Sequence, residues 1–174
     1  ESCSLTAEQT AVYQSILDEN MRMVAESEGI DRQGLVLKLI TALKQCCNHP
    51  VQFLKRGNPT FAASGKAALL RDRLEGILTA GDKVLIFTQY RTMGELLQRM
   101  ISEEFDIDAP FLHGGCSVGL REEMVDRFQN DPACPIFLLS IKAAGTGLNL
   151  PAANHVIHYD LWWNPAVENQ ATDR

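Results

Sequence analysis

Polar side chains follow the apolar segments in the second half of the chain. Short apolar segments such as Ile136–Ser140 are typical of buried strands, and the carboxyl ends of parallel strands lie along one edge of a sheet. Hydroxyl, amide, imidazole and ammonium groups at such an edge can hydrogen-bond the oxygens of a phosphate group. The spacing therefore predicts one polar edge of the sheet, where the hydroxyls of Thr88 and Ser140 could donate to a phosphate oxygen. The polar residues placed at this edge are Thr88, Gln89, His113, Ser140, Lys142 and Asp160.

A glycine-bearing loop, 142–149, follows the third of these apolar segments. Gly145 and Gly147 would let backbone N–H groups come close to a phosphate, and the hydroxyl of Thr146 can donate to the same oxygens. Glycines in strand–helix turns also occur for steric reasons alone. Spacing by itself therefore leaves two interpretations open, a phosphate-binding loop and an ordinary turn.

The last part of the chain combines aromatic and polar groups. The Asn-Pro pair at 164–165 is typical of a helix start, and one of the two tryptophans at 162–163 is expected to be available for stacking on a base. In the helix that follows, Gln170 and Arg174 are four residues apart and share a face. Arginine suits two-point contact with phosphate oxygens, although an ordinary surface charge is the alternative.

The order of the predicted elements defines the fold class. Strands are predicted at 83–87, 109–112, 136–140 and 155–159, and helices at 91–105 and 118–130. Short apolar strands that alternate with amphipathic helices are typical of an α/β fold. We expect a parallel sheet with helices on both faces and right-handed crossovers.

The first third of the chain is predicted to be helical. A capping box of Thr6 and Gln9 begins one amphipathic helix, and a second helix covers 35–47. Turn-forming residues at 55–63 indicate a linker, after which Ser64 caps a further helix. The predicted domains are therefore a helical appendage with its linker, 1–63, and an α/β domain, 64–174.

Composition limits the classes of function. The net charge of −6 speaks against a domain held to nucleic acid by overall attraction, so any nucleic-acid contact must be local. No apolar run reaches the roughly 20 residues that span a bilayer, and the first residues do not resemble a signal peptide. We expect a cytoplasmic protein with no membrane partner. The five cysteines lack disulfide-framework spacing, and Cys46, Cys47 and His49 lack the paired spacing of a zinc site, so no metal site is predicted.

Blocks of sequence across the chain closely resemble the second RecA-like lobe of the Swi/Snf family of superfamily two helicase-like ATPases, with most similarity to bacterial members. The helical part before residue 64 fits the helical insertion of that family, and the chain stops partway through its motif VI. The matching blocks are 43–50 for the segment before the lobe, 84–90 for motif IV, 112–115 with Arg121 and Phe128 for the next block, 139–150 for motif V, 160–165 for its extension and 168–174 for the opening of motif VI.

This resemblance implies half of an ATP site. In the family, ATP lies between two lobes, and the first lobe supplies the phosphate loop and the acidic residues that bind Mg²⁺. The present sequence has no phosphate loop, because the Ser-Gly-Lys at 64–66 lacks the upstream glycine and a following Ser or Thr. We therefore expect no ATP hydrolysis by this lobe alone. The residues implied beside the nucleotide are Gly145, Thr146, Gly147 and Asn149, and those implied as catalytic at its phosphates are Gln170 and Arg174.

The resemblance also implies a track for double-stranded DNA. The function it predicts is the C-terminal lobe of an ATP-dependent DNA translocase or remodeller, associated with the bacterial nucleoid. The implied partners are duplex DNA, the N-terminal lobe of the same polypeptide and a DNA-bound protein as the remodelling target. The candidates for holding one DNA strand by its backbone are Thr88, Gln89, His113, Ser140, Lys142 and Trp163.

Two other functions remain open. The first is a lobe of a strand-separating DNA or RNA helicase, but the block 170–174 does not match the His-Arg-x-Gly-Arg core of the DEAD-box group. That group also lacks the Trp-Trp-Asn-Pro block at 162–165. The second is a partner-binding α/β module without catalysis, whose helical appendage docks another protein.

Overall fold

The computed structural model describes residues 2–144 and 147–161, which form two compact units, Glu1–Arg71 and Asp72–Arg174. We call the first the helical unit and the second the α/β unit. The helical unit contains α1 (Ala7–Ala25), α2 (Gly29–Asn48), α3 (Pro50–Leu54), a 3-10 turn (Phe61–Ala63) and the start of α4 (Gly65–Ala80). The α/β unit contains the rest of α4, then β1 (Val84–Thr88), α5 (Arg91–Phe105), β2 (Phe111–Leu112), α6 (Val118–Asn130), β3 (Ile136–Ser140), α7 (Ile141–Ala144) and β4 (His155–His158).

The capping box predicted at the start of α1 is confirmed. The Thr6 hydroxyl accepts a hydrogen bond from the Gln9 backbone N–H at 3.1 Å, and the Gln9 side-chain carbonyl accepts one from the Thr6 N–H at 3.1 Å. The two bonds satisfy N–H groups that have no partner within the helix. From this start α1 packs along α2 around a small core of Ile16, Leu39 and Cys46.

Two helical features differ from the prediction. Helix α2 begins at Gly29 rather than at 35. The prediction missed the first turns because they bury no apolar stripe, and Ile30 is 86% exposed. The short helix α3, which starts at Pro50, was not predicted. Proline also suits the first position of a helix, where its fixed φ is favourable and no N–H is needed. The His49 side chain caps this new helix by accepting from the Val51 N–H at 3.2 Å.

The α/β unit contains the predicted parallel sheet. The described residues form a four-stranded sheet in the order β2-β3-β1-β4, and every pairing is parallel. Thr88 at the end of β1 is the register partner of Ser140 at the end of β3, and Phe87 pairs with His158 of β4. The carboxyl ends of β1, β3 and β4 therefore lie side by side.

Helices cover both faces of this sheet. Phe87 and Leu139 lie on one face in a buried cluster with Phe128 of α6. On the other face Phe111 is the register partner of Leu138, and the position of a Cβ on Gly94 of α5 would be only 2.2 Å from the Phe111 ring. Helix α5 thus packs directly against β2, on the face opposite α6. In the part of the chain that the structure describes, no helix is long and apolar enough to cross a membrane.

Candidate functional site

The residues predicted at the strand ends fall into a buried group and a more exposed group. Thr88 and Ser140, which end neighbouring strands, are 0% and 8% exposed. Gln89 and His113 are half-buried, and Lys142 is exposed. The hydroxyls therefore lie inside the edge of the sheet, while the amide, the imidazole and the ammonium group lie closer to solvent.

Asp160 is a buried carboxylate that joins the ends of β1 and β4. Its Oδ2 accepts a hydrogen bond from the Thr88 hydroxyl at 2.6 Å, and its Oδ1 accepts one from the Gln89 backbone N–H at 2.7 Å. Thr88 Oγ1 in turn accepts from the Tyr90 N–H at 3.3 Å. Burial, and next the charge of Asp160, raise the pKa of the Tyr90 phenol. Asp160 was predicted to lie at this edge because it follows the fourth apolar segment, but it was not selected as a site residue.

The His113 ring is oriented by the loop that follows it. The Gly115 backbone N–H donates to His113 Nδ1 at 3.0 Å, and the ring lies 5.2 Å from that of Phe111, centroid to centroid. Because Nδ1 accepts this bond, the hydrogen of the neutral ring is on Nε2. The imidazole can therefore donate one hydrogen bond to an external oxygen.

Arg91 lies beside the same loop and was not selected from the sequence. A Cβ placed on Gly115 would be 3.6 Å from Arg91 Nη1. The guanidinium is exposed and paired with Glu95 at 2.9 Å, an exposed pair of the kind that contributes little to stability. A basic residue in the first helical turn after a predicted phosphate-facing strand end was the signal that could have identified it.

Ser140 and Lys142 lie at a short helix that replaces the start of the predicted loop. Ser140 Oγ accepts from the Ala143 N–H at 3.3 Å, so the hydroxyl caps α7. Ile141 is 2% exposed and fixes the turn to the core, whereas Lys142 points away from the core into solvent. The glycine-bearing loop was predicted from 142, and the helix there is a difference from that prediction.

Beyond α7, Gly147 has the left-handed conformation that favours glycine, with φ of +71°. It is exposed, and among the described residues no atom lies within 4 Å of the position a Cβ would take. Leu148 and Leu150 are buried, so the loop is fixed on its inner side. Gly147 is therefore an open backbone position on a loop that the core fixes at the carboxyl edge.

Gly145, Thr146, Trp163, Gln170 and Arg174 lie outside the described residues. Asn149 is described: its side chain is exposed, and its backbone carbonyl accepts a hydrogen bond from Gln129 of α6.

Within residues 2–144 and 147–161, no group of three His, Cys, Asp or Glu residues could hold a metal ion. His49 uses Nδ1 to cap α3 and Nε2 to contact the Thr60 carbonyl at 3.0 Å. Burial, with a smaller effect of Cys47, raises the pKa of the Cys46 thiol to about 11. Both ring nitrogens of His49 thus have contacts within the helical unit.

The opposite, amino-terminal edge of the sheet carries a cavity of about 310 Å³. The Lys83 ammonium at this cavity donates to the backbone carbonyls of Phe128 and Asp131, the latter at 2.8 Å. Asp82 pairs with His155 at 2.9 Å. These polar groups stabilise the end of α6 and the start of β4, so the arrangement supports the fold. The cavity is lined by Leu78, Gly81, Asp82, Lys83, Gln129, Asn130, Pro132 and Pro135.

The chain is similar to known proteins over its whole length. The family model described as "Helicase conserved C-terminal domain" matches residues 65–174. The chain is 42% identical, over 177 aligned residues, to YwqA of Bacillus subtilis (strain 168), whose name assigns it as an ATP-dependent helicase/translocase. The match covers 100% of this chain and 19% of YwqA, so the chain spans about a fifth of that relative.

Two structures from Sulfolobus solfataricus share the fold. The SWI2/SNF2 ATPase C-terminal domain has a TM-score of 0.87 and 41% identity, over 96% of this chain and 73% of that one. The SWI2/SNF2 ATPase core in complex with dsDNA has a TM-score of 0.89 and 39% identity, over 99% of this chain and 36% of that one. The similarity includes the helical unit as well as the sheet.

Proposed function

This chain belongs to the helicase conserved C-terminal domain family, as the C-terminal lobe of a SWI2/SNF2-type ATPase, and we propose that it works in an ATP-dependent translocase on duplex DNA. One observation carries the proposal. Over 99% of its length the chain is similar, at 39% identity, to a SWI2/SNF2 ATPase core whose structure is a complex with dsDNA. The strand-end groups described above supply the chemistry that a DNA backbone requires.

The lobe is proposed to provide half of an interlobe ATP site. Bound ATP supplies the phosphoryl group whose transfer to water provides the free energy for movement. The open backbone at Gly147 fits a nucleotide neighbour. Gln170 and Arg174 would face the phosphates, where a guanidinium can stabilise developing negative charge. The other proposed neighbours are Gly145, Thr146 and Asn149, and the ligands of Mg²⁺ are expected from the first lobe.

The same edge is proposed to hold one DNA strand by its backbone. Gln89, His113 and Lys142 offer three different donors, an amide, an imidazole and an ammonium group, outside the buried hydroxyl layer. Such contacts carry no sequence information and suit an enzyme that moves along DNA. Because the chain has a net charge of −6, binding must depend on this local set. Ser140 and Trp163 complete the proposed track, and the buried Thr88 is proposed to support it from within the sheet edge rather than by touching DNA.

The proposed partners are the first lobe of the same polypeptide, duplex DNA and a DNA-bound protein that the motor displaces. The proposed setting is a bacterial nucleoid. Alternation of the lobe–lobe distance with the ATP cycle would let the two lobes exchange their hold on the strand, which is the simplest way for a two-lobed ATPase to step along phosphates.

The decisive measurement is ATP hydrolysis by the polypeptide carrying both lobes, with and without linear duplex DNA. We expect DNA to stimulate the rate, and Arg174→Ala to reduce kcat by about 10³-fold. Arg99→Ala is the matched control, because Arg99 is exposed on α5 and pairs with Glu103 at 2.8 Å. An ATP hydrolysis rate that does not change with DNA, or an Arg174→Ala variant with normal kcat, would contradict the proposal.

A second assay separates translocation from strand separation. A translocase is expected to displace the third strand of a triplex while it leaves the duplex paired. Separation of the duplex itself would instead identify a strand-separating helicase. Tight binding of a protein partner by a polypeptide without ATPase activity would identify a docking module.

A further inference from the structure

Thr88 is buried, and its hydroxyl hydrogen is already used. The residue is 0% exposed, and Oγ1 lies 2.6 Å from Asp160 Oδ2. A hydroxyl has one hydrogen to donate, and a bond to a carboxylate is stronger than one between neutral groups. A DNA phosphate would therefore have to displace a buried carboxylate before it could accept from Thr88. Direct contact between this hydroxyl and DNA is unfavourable.

Thr88 and Asp160 instead hold two consecutive backbone N–H groups. Asp160 Oδ1 accepts from the Gln89 N–H at 2.7 Å, and Thr88 Oγ1 accepts from the Tyr90 N–H at 3.3 Å. The backbone after β1 is thereby fixed to the residue that follows β4. Strand pairing continues up to this point, since the Tyr159 N–H donates to the Phe87 carbonyl at 2.9 Å.

Gln89 carries a side-chain donor for which the described residues show one bond. Its side-chain amide carries two hydrogens. One goes to the Leu161 carbonyl, with Nε2 3.2 Å from that oxygen, and the bond lies at an exposed position. The second hydrogen can reach a phosphate oxygen without the loss of the first bond.

We propose that Asp160 is a positioning residue for DNA binding, which acts with Thr88 to fix the Gln89 backbone so that the Gln89 amide faces a DNA phosphate. The inference rests on the proposed function, because it names the residue that prepares one of the DNA contacts. Asp160 does not itself touch DNA. It is 3% exposed, and both of its oxygens accept hydrogen bonds from the turn that covers it. The carboxylate therefore exerts its effect through Gln89.

The first test measures binding of a fluorescein-labelled duplex by anisotropy, for the polypeptide carrying both lobes and three variants of it. Asp160→Ala and Gln89→Ala are each expected to weaken the dissociation constant by about tenfold, the usual effect of one charge-assisted hydrogen bond. The double variant is expected to be no weaker than Gln89→Ala alone. Multiplication of the two effects in the double variant would overturn the inference, because Asp160 would then act independently of Gln89.

The second test measures the turn itself and does not involve DNA. Hydrogen exchange of the Gln89 and Tyr90 amides is expected to become faster in Asp160→Ala, while the amides of β3 stay protected. Unchanged exchange at Gln89 would overturn the positioning role. Asp160→Asn keeps one carbonyl oxygen for the Gln89 N–H, so it should restore part of the protection and part of the DNA affinity.

Lys83→Met controls for simple destabilisation, because it removes an internal hydrogen-bond donor at the other edge of the sheet. It should lower the free energy of unfolding of the α/β unit and leave the DNA dissociation constant unchanged. Equal losses of DNA binding in Lys83→Met and Asp160→Ala would overturn the inference. If the unmodified two-lobed polypeptide bound no duplex, the proposed function would fail and the DNA role of Asp160 with it, whereas the exchange data would still decide whether Asp160 fixes the turn.

Discussion

Gln129 and Asn149 are joined by a hydrogen bond of 3.1 Å, from the side-chain Nε2 of the first to the backbone carbonyl of the second. The same side chain accepts a bond from the Ala152 N–H through Oε1 at 3.0 Å. One amide on α6 therefore holds a loop at two points, and Leu150 between them is 2% exposed. The loop that starts beside Gly147 is fixed by polar contacts to α6 and by apolar contacts to the core.

Replacement of Gln129 by alanine should loosen this loop. If the loop borders ATP, Gln129→Ala in the two-lobed polypeptide is expected to raise the KM for ATP by about tenfold, with a smaller effect on kcat, because two hydrogen bonds that orient the loop are lost. Gln98→Ala is the matched control. Gln98 also binds a backbone carbonyl, that of Ala109 at 2.8 Å, but from α5. Equal KM values for the two variants would contradict a role of the loop in ATP binding.

Gly94 should not tolerate a side chain. A Cβ there would lie 2.2 Å from the Phe111 ring, which is 3% exposed and has little space to move. Gly94→Ala is expected to reduce the free energy of unfolding of the α/β unit by about 1–3 kcal/mol, the usual cost of overpacking. Urea denaturation followed by circular dichroism measures it.

Gly76→Ala provides the comparison for Gly94→Ala. Gly76 is also inside a helix, but no atom lies within 4 Å of its Cβ position. Alanine favours helix over glycine by up to about 1 kcal/mol, so this variant should be as stable as the original chain or more so. Destabilisation by both variants would show that the Phe111 contact is not the cause.

Gln9 is expected to be the most sensitive polar residue of α1. It is 0% exposed, and its amide donates to the Cys46 carbonyl at 2.9 Å while its carbonyl accepts from the Gly65 N–H at 3.0 Å. Gln9→Ala would leave buried groups at the end of α2 and the start of α4 without these partners. We expect a loss of about 2–4 kcal/mol of unfolding free energy. Gln14→Ala, at an exposed position of the same helix, should change it by less than about 0.5 kcal/mol.

The helical unit should lose stability in mild acid through His49. Burial lowers the pKa of this ring, which is 0% exposed. In the unfolded chain the ring binds a proton near pH 6.5, whereas the folded ring binds it only at lower pH. The unfolded state thus gains protons first, and stability present above about pH 6.5 is lost as the pH falls below that value. The free energy of unfolding should fall less between pH 7.5 and pH 5 in His49→Asn, which keeps an N-cap acceptor for α3. The same pH dependence in both proteins would contradict this assignment.

Much of the α/β unit could be predicted from sequence. Helices 91–105 and 118–130 and strand 136–140 have the predicted bounds, because their apolar residues follow the helical or strand period and their ends carry clear signals. Helix α4 also starts as predicted, because the Ser64 hydroxyl accepts a hydrogen bond from the Ala67 N–H at 3.3 Å. The second strand is shorter than predicted, with two residues, 111–112, instead of 109–112.

The site was predictable only in part. A parallel sheet must bring Thr88, His113 and Ser140 to one edge, and sequence order is sufficient for that inference. The bond between Thr88 and Asp160 spans 72 residues and requires that β1 and β4 be neighbours. The period of the apolar residues identifies strands but not their order in the sheet. The partner of Asp160 could therefore not be predicted from it. The capping of α7 by Ser140 could not be predicted either, because a four-residue helix is too short to show a helical period of apolar residues.

The internal bonds of Lys83 give the two edges of the sheet different chemical reactivity. Its ammonium donates to two carbonyls at the end of α6 and lies 5.2 Å above the centre of the Phe128 ring. An amine held in this way must give up its hydrogen bonds and its proton before it can attack the ester group of a cross-linking reagent. Lys142 at the other edge is exposed. Lysine-directed cross-linking with mass spectrometry will therefore sample the neighbours of the carboxyl edge much more readily than those of the amino-terminal edge.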